Sequence, residues 1–463
     1  MNRTQATDAV RELLSIHARE RDWMDDIHAA MRPWTPGQAA SKFAIGAGSA
    51  GHSRQIEIAQ ASQTNYLPLI LDVFSQSLKV KGFYSSEAKE SSSWQWWLRN
   101  KMNARQTGLH RSTLQYGTGY AAVSRGGDDG YSPVISLASP RQMVALYGED
   151  HYWPGADGVS TEWPIIAAEI KQNRVRLWDE ERVYFFGAKH VPSDPRQWDK
   201  QTWNNTSNLE FIESRRHNIG VVPIVRYQDR MLLDGEEQHG IIEPLVSMQK
   251  RLDMTNWEQG NAQWVSAFKQ RYVVGWAPKD ETTQASMKAS DTWFINADGS
   301  KAKVGQFEET DFTGYTESKA STLRDLTAIA QIPPQMAGAN AISNVSADGL
   351  AGMENARDNK SSEIRTSVGE SHEQLLRLAA HVAGNTEDAN DFTSEIAWED
   401  LSSRSFAQWV DGLGKLSTML GIPAEVLLED VPGWSREKVQ RVKAAIKEQP
   451  DQDTIPTGRG LFQ

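Results

Sequence analysis

The chain has 463 residues, a formal net charge of −11 and no cysteine, with 39% hydrophobic and 24% charged residues. Its length allows about two to four domains, and the lack of cysteine excludes disulfide bonds and cysteine-ligated metal sites. The acidic balance argues against a protein that grips nucleic acid over a broad surface, because such binding depends on displacing counterions with lysine and arginine.

No apolar run approaches the ~20 residues that a membrane-spanning helix needs. The first residues, Met1-Asn2-Arg3-Thr4, open a polar amphipathic stretch that differs from a signal peptide. We therefore expect the chain to fold in a cytoplasm. Its 17 tryptophans are a high number. Burial or subunit contact is one explanation, and a sugar-binding surface is the other.

The first quarter of the chain is predicted to be helical. Apolar residues at helical spacing predict a helix over 7–31 and a second buried face over 55–83, which ends in an extended run from Val80. The glycine-rich loop between them, 46–51, lacks the Lys-Ser/Thr step of a phosphate cradle. Residues 91–115 combine three tryptophans with four basic residues and no acid. They predict either a packed helix with a solvated basic face or a nucleic-acid contact.

Short strand-like runs then alternate with turns, beginning at Tyr116-Gly117-Thr118-Gly119-Tyr120. This pattern predicts a mixed region of helix and sheet, with a polar loop over 192–207. The predicted strands are 134–137, 143–147, 165–170, 175–177, 182–186 and 221–227.

A helix–strands–helix unit follows. Helical spacing returns over the acidic segment 241–268, and 312–332 is helical again. Between them the pattern predicts a strand over 272–276, a short helix over 281–289 and a strand over 292–295. The simplest geometry is a helix going out, a small domain at its tip and a helix coming back.

The next stretch begins at Pro333-Pro334, passes through a loop of small residues and enters a predicted helix over 346–383. Residues 355–363 are almost wholly polar. A helix of this kind either crosses between two packed regions or is an ordinary long surface helix. After it we predict a strand over 392–398, helices over 405–420, 423–430 and 435–448, and a disordered end over 449–463.

The sequence carries no enzyme signature. There is no cysteine nucleophile and no Gly-x-Ser-x-Gly elbow, and the spacing of His372 and His381 does not match a metal site. Paired acids such as Glu180-Glu181 fit either a glycosidase or a solvated surface. We expect no catalytic residue, no cofactor and no metal.

Five blocks, in order along the chain, resemble tailed-bacteriophage portal proteins, the head-to-tail connectors, and are similar to the portals of phages that infect actinobacteria. The blocks are Asn65-Tyr66 with Ile70, Asp72, Leu78, Val80 and Gly82-Phe83; Tyr116-Gly117-Thr118-Gly119-Tyr120; Val222-Pro223-Ile224-Val225; Ile332-Pro333-Pro334 with Ser346-Ala347-Asp348-Gly349-Leu350 and Met353-Glu354; and Trp398 with Asp400, Gly421-Ile422-Pro423 and Leu427-Leu428.

The resemblance implies an α+β portal fold with a mixed wing, a helical stem, a small clip, a tunnel loop, a long wing helix and a helical crown. The implied segments are the N-terminal part of the wing 1–233, stem helix out 234–269, clip 270–308, stem helix back 309–332, tunnel loop 333–346, long helix and wing strand 347–395, and crown 396–463 with a disordered C-terminal tail.

The implied function is structural. The resemblance points to a ring of twelve copies at one capsid vertex of a virion, assembled in the host cytoplasm, through which double-stranded DNA is packaged and ejected. The implied partners are the major capsid protein, the large terminase and head–tail adaptor proteins, with no membrane. A carboxylate-based glycoside hydrolase and another minor capsid structural protein remain as alternatives.

The resemblance also implies three sets of site residues. A loop without lysine or arginine between Pro333 and Val345 would touch DNA by steric and weak polar contact. Acids in the stem would keep the channel wall repulsive, and two tryptophans would support the clip. The sets are Asn340, Ile342, Ser343 and Asn344 in the tunnel loop; Glu243, Asp253, Glu258, Glu309 and Asp311 as candidate channel-lining acids; and Trp276 and Trp293 in the clip.

Overall fold

The computed structural model describes residues 1–45, 52–85, 91–127, 129–148, 162–171, 173–190, 208–231, 240–266, 271–275, 292–295, 303–306, 311–338, 347–399, 406–428, 431, 434 and 436–448. The chain divides into two compact units, Met1–Trp398 and Glu399–Gln463. Within these described ranges, no helix has both the length and the apolar character that crossing a membrane requires.

The first unit alternates helices and strands in an α+β arrangement. Its helices are α1 Arg3–Ala30, α2 Pro36–Lys42, α3 His52–Ser62, α4 Leu67–Ser77, α5 Trp94–Arg99, α6 Met102–Tyr116, α7 Val246–Ser266, α8 Thr313–Ala330, α9 Ala347–Ala383 and α10 Thr386–Ala389. Its strands are β1 Val80–Tyr84, β2 Thr118–Gly126, β3 Ser132–Ala138, β4 Met143–Leu146, β5 Ile166–Lys171, β6 Arg174–Trp178, β7 Arg182–Ala188, β8 Leu209–Arg216, β9 Ile224–Gln228, β10 Arg271–Val274, β11 Thr292–Ile295, β12 Lys303–Gln306 and β13 Glu395–Trp398.

The five strands β4 to β8 form an antiparallel sheet in chain order, and α1 covers one of its faces. Successive side chains of a strand point to opposite faces. On β4, Val144 and Leu146 therefore join the core under α1. Met143 and Ala145 join a second core on the other face. The alternation places this sheet between two apolar layers.

The second core is closed by the antiparallel sheet β3-β2-β9. Strand β2 faces two layers at once, for the same geometric reason. Its Tyr120 and Ala122 point to the five-stranded sheet. Its Ala121 and Val123 point to the main core, which also contains α4, α6 and α9. The first unit is thus layered around β2.

Helix α9 is the longest element, with 37 residues, about 55 Å at ~1.5 Å per residue. Its second half is buried in the main core through Val368, Leu375, Leu378 and Val382. Its middle, 355–363, is mostly exposed. The predicted helix is confirmed, and its apolar part packs against β2, β3, β9 and β13.

A buried histidine pair joins α6 to α9. His110 Nε2 lies 2.8 Å from His372 Nε2, and the hydroxyl of Tyr227 lies 3.0 Å from His372 Nδ1. Trp97 closes the site, with its ring edge-on to His372. Burial lowers the pKa of His110 to about 4, and burial together with His110 holds the pKa of His372 well below its ordinary value. Both rings are therefore neutral at neutral pH, and one Nε2–H donates to the other nitrogen.

Two predicted helices are each broken in the structure. The segment 55–83 forms α3 and α4 separately, because the side chain of Asn65 bonds to the start of α4 and to the end of α1. Its Oδ1 accepts from the Leu67 amide at 3.1 Å and its Nδ2 donates to the Ala30 carbonyl at 2.7 Å. The segment 91–115 forms α5 and α6, which are separated at Lys101, a residue in the left-handed conformation with φ 56°.

The pattern also missed two strands. β8 has an irregular alternation because a bulge shifts its pairing with β7 near Phe185. β12 is short and rich in polar residues.

The remaining predictions have different outcomes. The strand predicted over 392–398 is present but shorter, as β13, and the small helix α10 precedes it. Several predictions lie outside the described residues, namely the loops 46–51 and 192–207, the helix 281–289 and the tail 449–463.

The second unit contains α11 Phe406–Leu420, α12 Ala424–Leu427 and α13 Arg436–Glu448. These bounds match the predicted helices closely, except that α12 ends earlier than predicted. Leu427 and Val439 are its buried apolar side chains among the described residues. On the exposed side of α11, Met419 and Leu420 are largely solvent-accessible.

The histidine pair predicts a loss of stability in acid. The folded pKa of His110 is about 4, below the ~6.5 of an unfolded histidine, so the unfolded state binds the extra proton and stability falls as the pH drops below about 6.5. At about pH 5 this histidine alone costs on the order of 2 kcal/mol. His110→Gln keeps an acceptor for the His372 N–H and removes one titrating ring.

We therefore expect His110→Gln to lose less melting temperature than the wild type between about pH 7 and pH 5, measured by circular dichroism at one protein concentration. His190→Gln, at an exposed position, is the matched control and should follow the wild type. Identical acid profiles for all three proteins would show that the buried pair does not set the acid sensitivity.

Candidate functional site

Helices α7 and α8, the helix pair, run antiparallel against each other, with strands β10 to β12 between them in sequence. One arginine joins their surfaces. Arg251 Nε donates to Thr322 Oγ1 at 3.0 Å, and its Nη2 contacts Asp325 at 2.6 Å. Leu245 and Leu326 continue the contact into the main core. The predicted outgoing and returning helices are therefore present and directly packed.

A close backbone contact attaches the start of the helix pair to the end of α6 in the same unit. Gly240 has a φ of +74°, and a Cβ at this position would overlap the carbonyl oxygen of Leu114. The next residue, Ile241, donates its amide hydrogen to that carbonyl at 2.8 Å. Ile242 is fully buried, and a 3-10 turn over Glu243–Leu245 then leads into α7.

The strands between the two helices form a three-stranded sheet with β10 at its centre. β11 pairs parallel with β10, and β12 pairs antiparallel with it. Val273 on the central strand is buried, whereas Val304 on the edge strand is 78% exposed. Of the two tryptophans predicted here, Trp293 lies in β11, and Trp276 lies outside the described residues.

Helix α8 leads directly into the predicted tunnel loop. It ends at Ala330, and Gln331 takes a left-handed conformation with φ 60°. Ile332 is buried, a 3-10 turn covers Pro334–Ala337, and Gly338 has a φ of 73°. Beyond this point the chain is described again from the start of α9. The four predicted DNA-facing residues, Asn340, Ile342, Ser343 and Asn344, lie outside the described residues.

A lysine of α9 connects the two helices between which this loop lies, α8 and α9. Lys360 Nζ donates to the carbonyl of Ala330, the last residue of α8, at 3.4 Å. Its ammonium group also lies over the ring of Phe74, 5.0 Å from the centroid. A cation is favourable at a helix C-terminus, where carbonyl groups lack partners. Lys360 therefore anchors the end of α8 to the middle of α9.

Beside this lysine lies a buried carboxyl group. Asp229, just after β9, is 1% exposed, and its Oδ1 has no hydrogen-bond partner. Burial raises the pKa of Asp229 to about 7, against the opposing charges of Arg230 and Lys360. The Nε of Arg230 is 4.0 Å from the carboxylate, too far for a hydrogen bond. Ionisable groups from the end of β9 and from α9 thus meet beside the C-terminus of α8.

The predicted channel-lining acids occupy different environments. Glu243, Glu258 and Asp311 are exposed, and Glu309 lies outside the described residues. The hydroxyl of Thr313 and its amide, the latter at 2.9 Å, donate to the carboxylate of Asp311 and hold its pKa below the ordinary value. These acids stay candidates for the channel wall.

Asp253 is buried, whereas the prediction of a channel-lining acid requires an exposed carboxylate. It is 3% exposed, and its Oδ1 accepts a hydrogen bond from the Gln249 side chain at 2.9 Å. Burial raises its pKa to about 6. Helical spacing placed Asp253 among polar neighbours, but the approach of α3 to α7 covers this face. Asp253 therefore offers no exposed carboxylate on the subunit surface.

The sequence analysis missed the groups that the fold brings together. His110 and His372 are far apart in sequence, and neither has a motif that marks it. Asp229 and Lys360 likewise meet only because β9 packs on α9. Across the described ranges, no three histidine, aspartate or glutamate side chains form a group that could hold a metal ion.

The family model described as "Phage portal protein, SPP1 Gp6-like" matches residues 60–452 of the chain. None of the curated proteins compared with the chain is significantly similar to it in sequence. Among solved structures, a chain in the virion of a native gene transfer agent particle is similar, with 12% identity and a TM-score of 0.41 over 88% of this chain and 98% of that chain. A chain in the neck of an empty gene transfer agent particle, computed with C6 symmetry, has 15% identity and a TM-score of 0.42 over 89% of this chain and 95% of that chain.

The lysine contact predicts a local change in loop dynamics. Lys360→Met keeps the apolar packing on Phe74 and removes the hydrogen bond to Ala330. Because one such bond contributes about 1 kcal/mol, we expect amide hydrogen exchange at the end of α8 and over 331–338 to become about fivefold faster. Asn359→Met, at an exposed neighbouring position on α9, is the control. Unchanged exchange in Lys360→Met would mean that the loop flanks are held by packing alone.

Proposed function

The chain belongs to the phage portal protein family of the SPP1 Gp6-like type, and on this basis we propose that it forms a ring of twelve copies at one vertex of a phage capsid. Double-stranded DNA passes through the centre of the ring during packaging and ejection. The ring contacts the major capsid protein, and its assembly takes place in the host cytoplasm. As members of a structural family, portals are components of the virion.

The observation that carries the proposal is the family match over 60–452, within which the whole helix pair and its sheet lie. The helix pair is the stem in this assignment, and the sheet β10 to β12 is the core of the clip. Clip residues, including Trp276 and Trp293, form the docking surface for the large terminase and later for head–tail adaptors. The predicted closeness to portals of phages that infect actinobacteria stays a prediction.

We assign no catalytic activity, cofactor or metal to the chain. The family is one of structural proteins, and the motor that consumes ATP is a separate partner in this scheme. The buried histidine pair and Asp229 act on stability and on the packing of the wing. The two histidines are fully buried, and Asp229 is 1% exposed beside Arg230 and Lys360.

A conduit must confine DNA without binding it tightly. Exposed acids on the channel wall repel phosphate groups, and the polymer then slides because no cation holds it. Glu243 at the root of the stem and Asp311 at the start of α8 are exposed and suit this role. Glu309, two residues before Asp311, is assigned to the same wall.

The ring itself is the first prediction of this proposal. Negative-stain images of the purified protein should show rings with a central hole, and light scattering should give the mass of about twelve subunits, since identical head-to-tail contacts close when the rotation divides a full turn. A compact monomer at every concentration would contradict the proposal and would favour the alternative, a carboxylate-based glycoside hydrolase. A filament or an irregular aggregate would favour another minor capsid protein.

A second prediction concerns the tunnel loop. Deleting 339–344 should leave the rings intact and reduce the DNA that heads package or retain, because the collar around the DNA is lost. Packaged DNA is measured by the density of purified heads and by extracted genome length. The matched control replaces Asn340, Ser343 and Asn344 together with alanine, which keeps the loop length and removes its polar groups.

If the collar acts by its bulk, the alanine control fills heads normally and the deletion does not. If it acts by polar contact, both proteins fail. Normal filling by the deletion variant would remove the loop from the mechanism while leaving the ring proposal in place.

A further inference from the structure

A basic cleft opens where α3 meets the helix pair. It has a volume of about 750 Å³ and is lined by α3, by α7 and by Lys319 of α8. Arg54 and Lys319 contribute positive charge, while Ile58 and Trp264 contribute apolar surface. Arg54 also pairs with Glu57 one turn along α3 at 2.9 Å, but both side chains of this pair are exposed, and such a pair exchanges partners at little cost. The described residues that line the cleft include no acid. This basic cleft is therefore suited to a partner that offers a negative charge between apolar groups.

The floor of the basic cleft is set by a close helix contact. A Cβ at Gly260 would lie 2.8 Å from the Cγ2 of Ile58, so α3 and α7 approach at the position of this glycine. Phe43 and Trp257 stack in parallel next to the contact, with ring centroids 4.6 Å apart. These contacts fix α3 against α7, and the cleft is a formed feature of the folded subunit.

The opposite side of α7 carries a surface of complementary character. Met254 is 43% exposed, Val265 is 56% exposed, and Glu258 lies exposed between them. At ~100° per residue, these side chains lie about 120° to 160° around the helix from Gly260, on the side away from the cleft. We name Met254, Glu258 and Val265 the acidic strip. One helix thus presents a basic cleft on one side and the acidic strip on the other.

Two different, complementary surfaces on opposite sides of one element are what head-to-tail association requires. Each contact uses the cleft of one copy and the strip of the next, and leaves one of each surface free for a further copy. From this geometry we infer that neighbouring subunits meet at the stem, with Glu258 of one copy set between Arg54 and Lys319 of the next. The inference rests on the proposed ring and identifies a contact that builds it.

The chemistry of the contact favours specificity over strength. A single exposed ion pair contributes only about 0–1 kcal/mol, so Glu258 alone would not hold two copies together. Burial of Met254 and Val265 against Ile58 and Trp264 adds about 25 cal/mol for each Å² of apolar surface removed from water. The charges fix the register and direction of approach, which a closed ring needs at every junction.

This contact changes the role of one predicted acid. Glu258 was a candidate for the channel wall, but a carboxylate that is paired between subunits does not repel DNA in the channel. Glu243 and Asp311 lie outside the acidic strip and keep the wall assignment. The inference therefore separates the stem acids into a subunit-facing group and a channel-facing group.

The chain contains no cysteine, so a pair of introduced cysteines can report this contact without background. In the full-length protein, Arg54→Cys and Glu258→Cys are combined and treated with a short bismaleimide cross-linker. Each subunit then carries one thiol on each surface, and a denaturing gel should show a ladder from dimer up to the closed ring. Either single variant can give at most a dimer. Arg54→Cys with Asp26→Cys, an exposed position on α1, is the control pair and should give no ladder.

Charge reversal gives an independent readout. Glu258→Lys should lower the yield of rings on size-exclusion chromatography, because it places three cations together. Combining it with Arg54→Glu and Lys319→Glu should restore the yield. Rings from the wild type, no ladder from the cysteine pair and no effect of Glu258→Lys would overturn the inference and leave the proposed function standing. A wild-type protein that forms no rings at any concentration would overturn both.

Discussion

The fold depends on one constraint, which is that the apolar second half of α9 must be buried. Val368, Leu375 and Leu378 reach the main core only if strands β2 and β9 and helices α4 and α6 assemble around them. The polar middle of the same helix has no such requirement, so it emerges from the core. Because a helix is straight over many turns, the burial of one end fixes the position and direction of the other end.

Ionisable groups also differ between the buried interior and the exposed surface. Three buried groups of the first unit have pKa values that burial moves toward the neutral form. Burial lowers the pKa of His110 and raises that of Asp253 and Asp229. The helix pair carries Asp253 among these groups, but Glu258 on it and Glu243 just before it are exposed. The interior groups therefore contribute to stability and acid sensitivity, whereas the exposed acids of the helix pair carry charge to the surface.

Local patterns predicted the elements of this fold better than their breaks and their partners. The long helix, the helix pair and the helices of the second unit follow from apolar spacing alone. The break between α3 and α4 did not, because it depends on Asn65 finding the carbonyl of Ala30 in another helix. The same holds for the site. The exposure of Glu243 fits the polar pattern of its segment. The burial of Asp253 could not be predicted, because it results from the packing of α3 on α7. The contact of Asp229 with Lys360 likewise results from the packing of β9 on α9.

The join between Gly240 and Leu114 has a consequence for how such a chain diverges. The angle at which α7 leaves the sheet-and-helix body is set there by main-chain atoms, since the glycine has no side chain and its neighbour's amide bonds directly to the carbonyl. Side chains along α7 can then be exchanged over many generations without tilting its axis. The direction of α7 is thereby independent of most of its own sequence, provided that this one position stays without a Cβ.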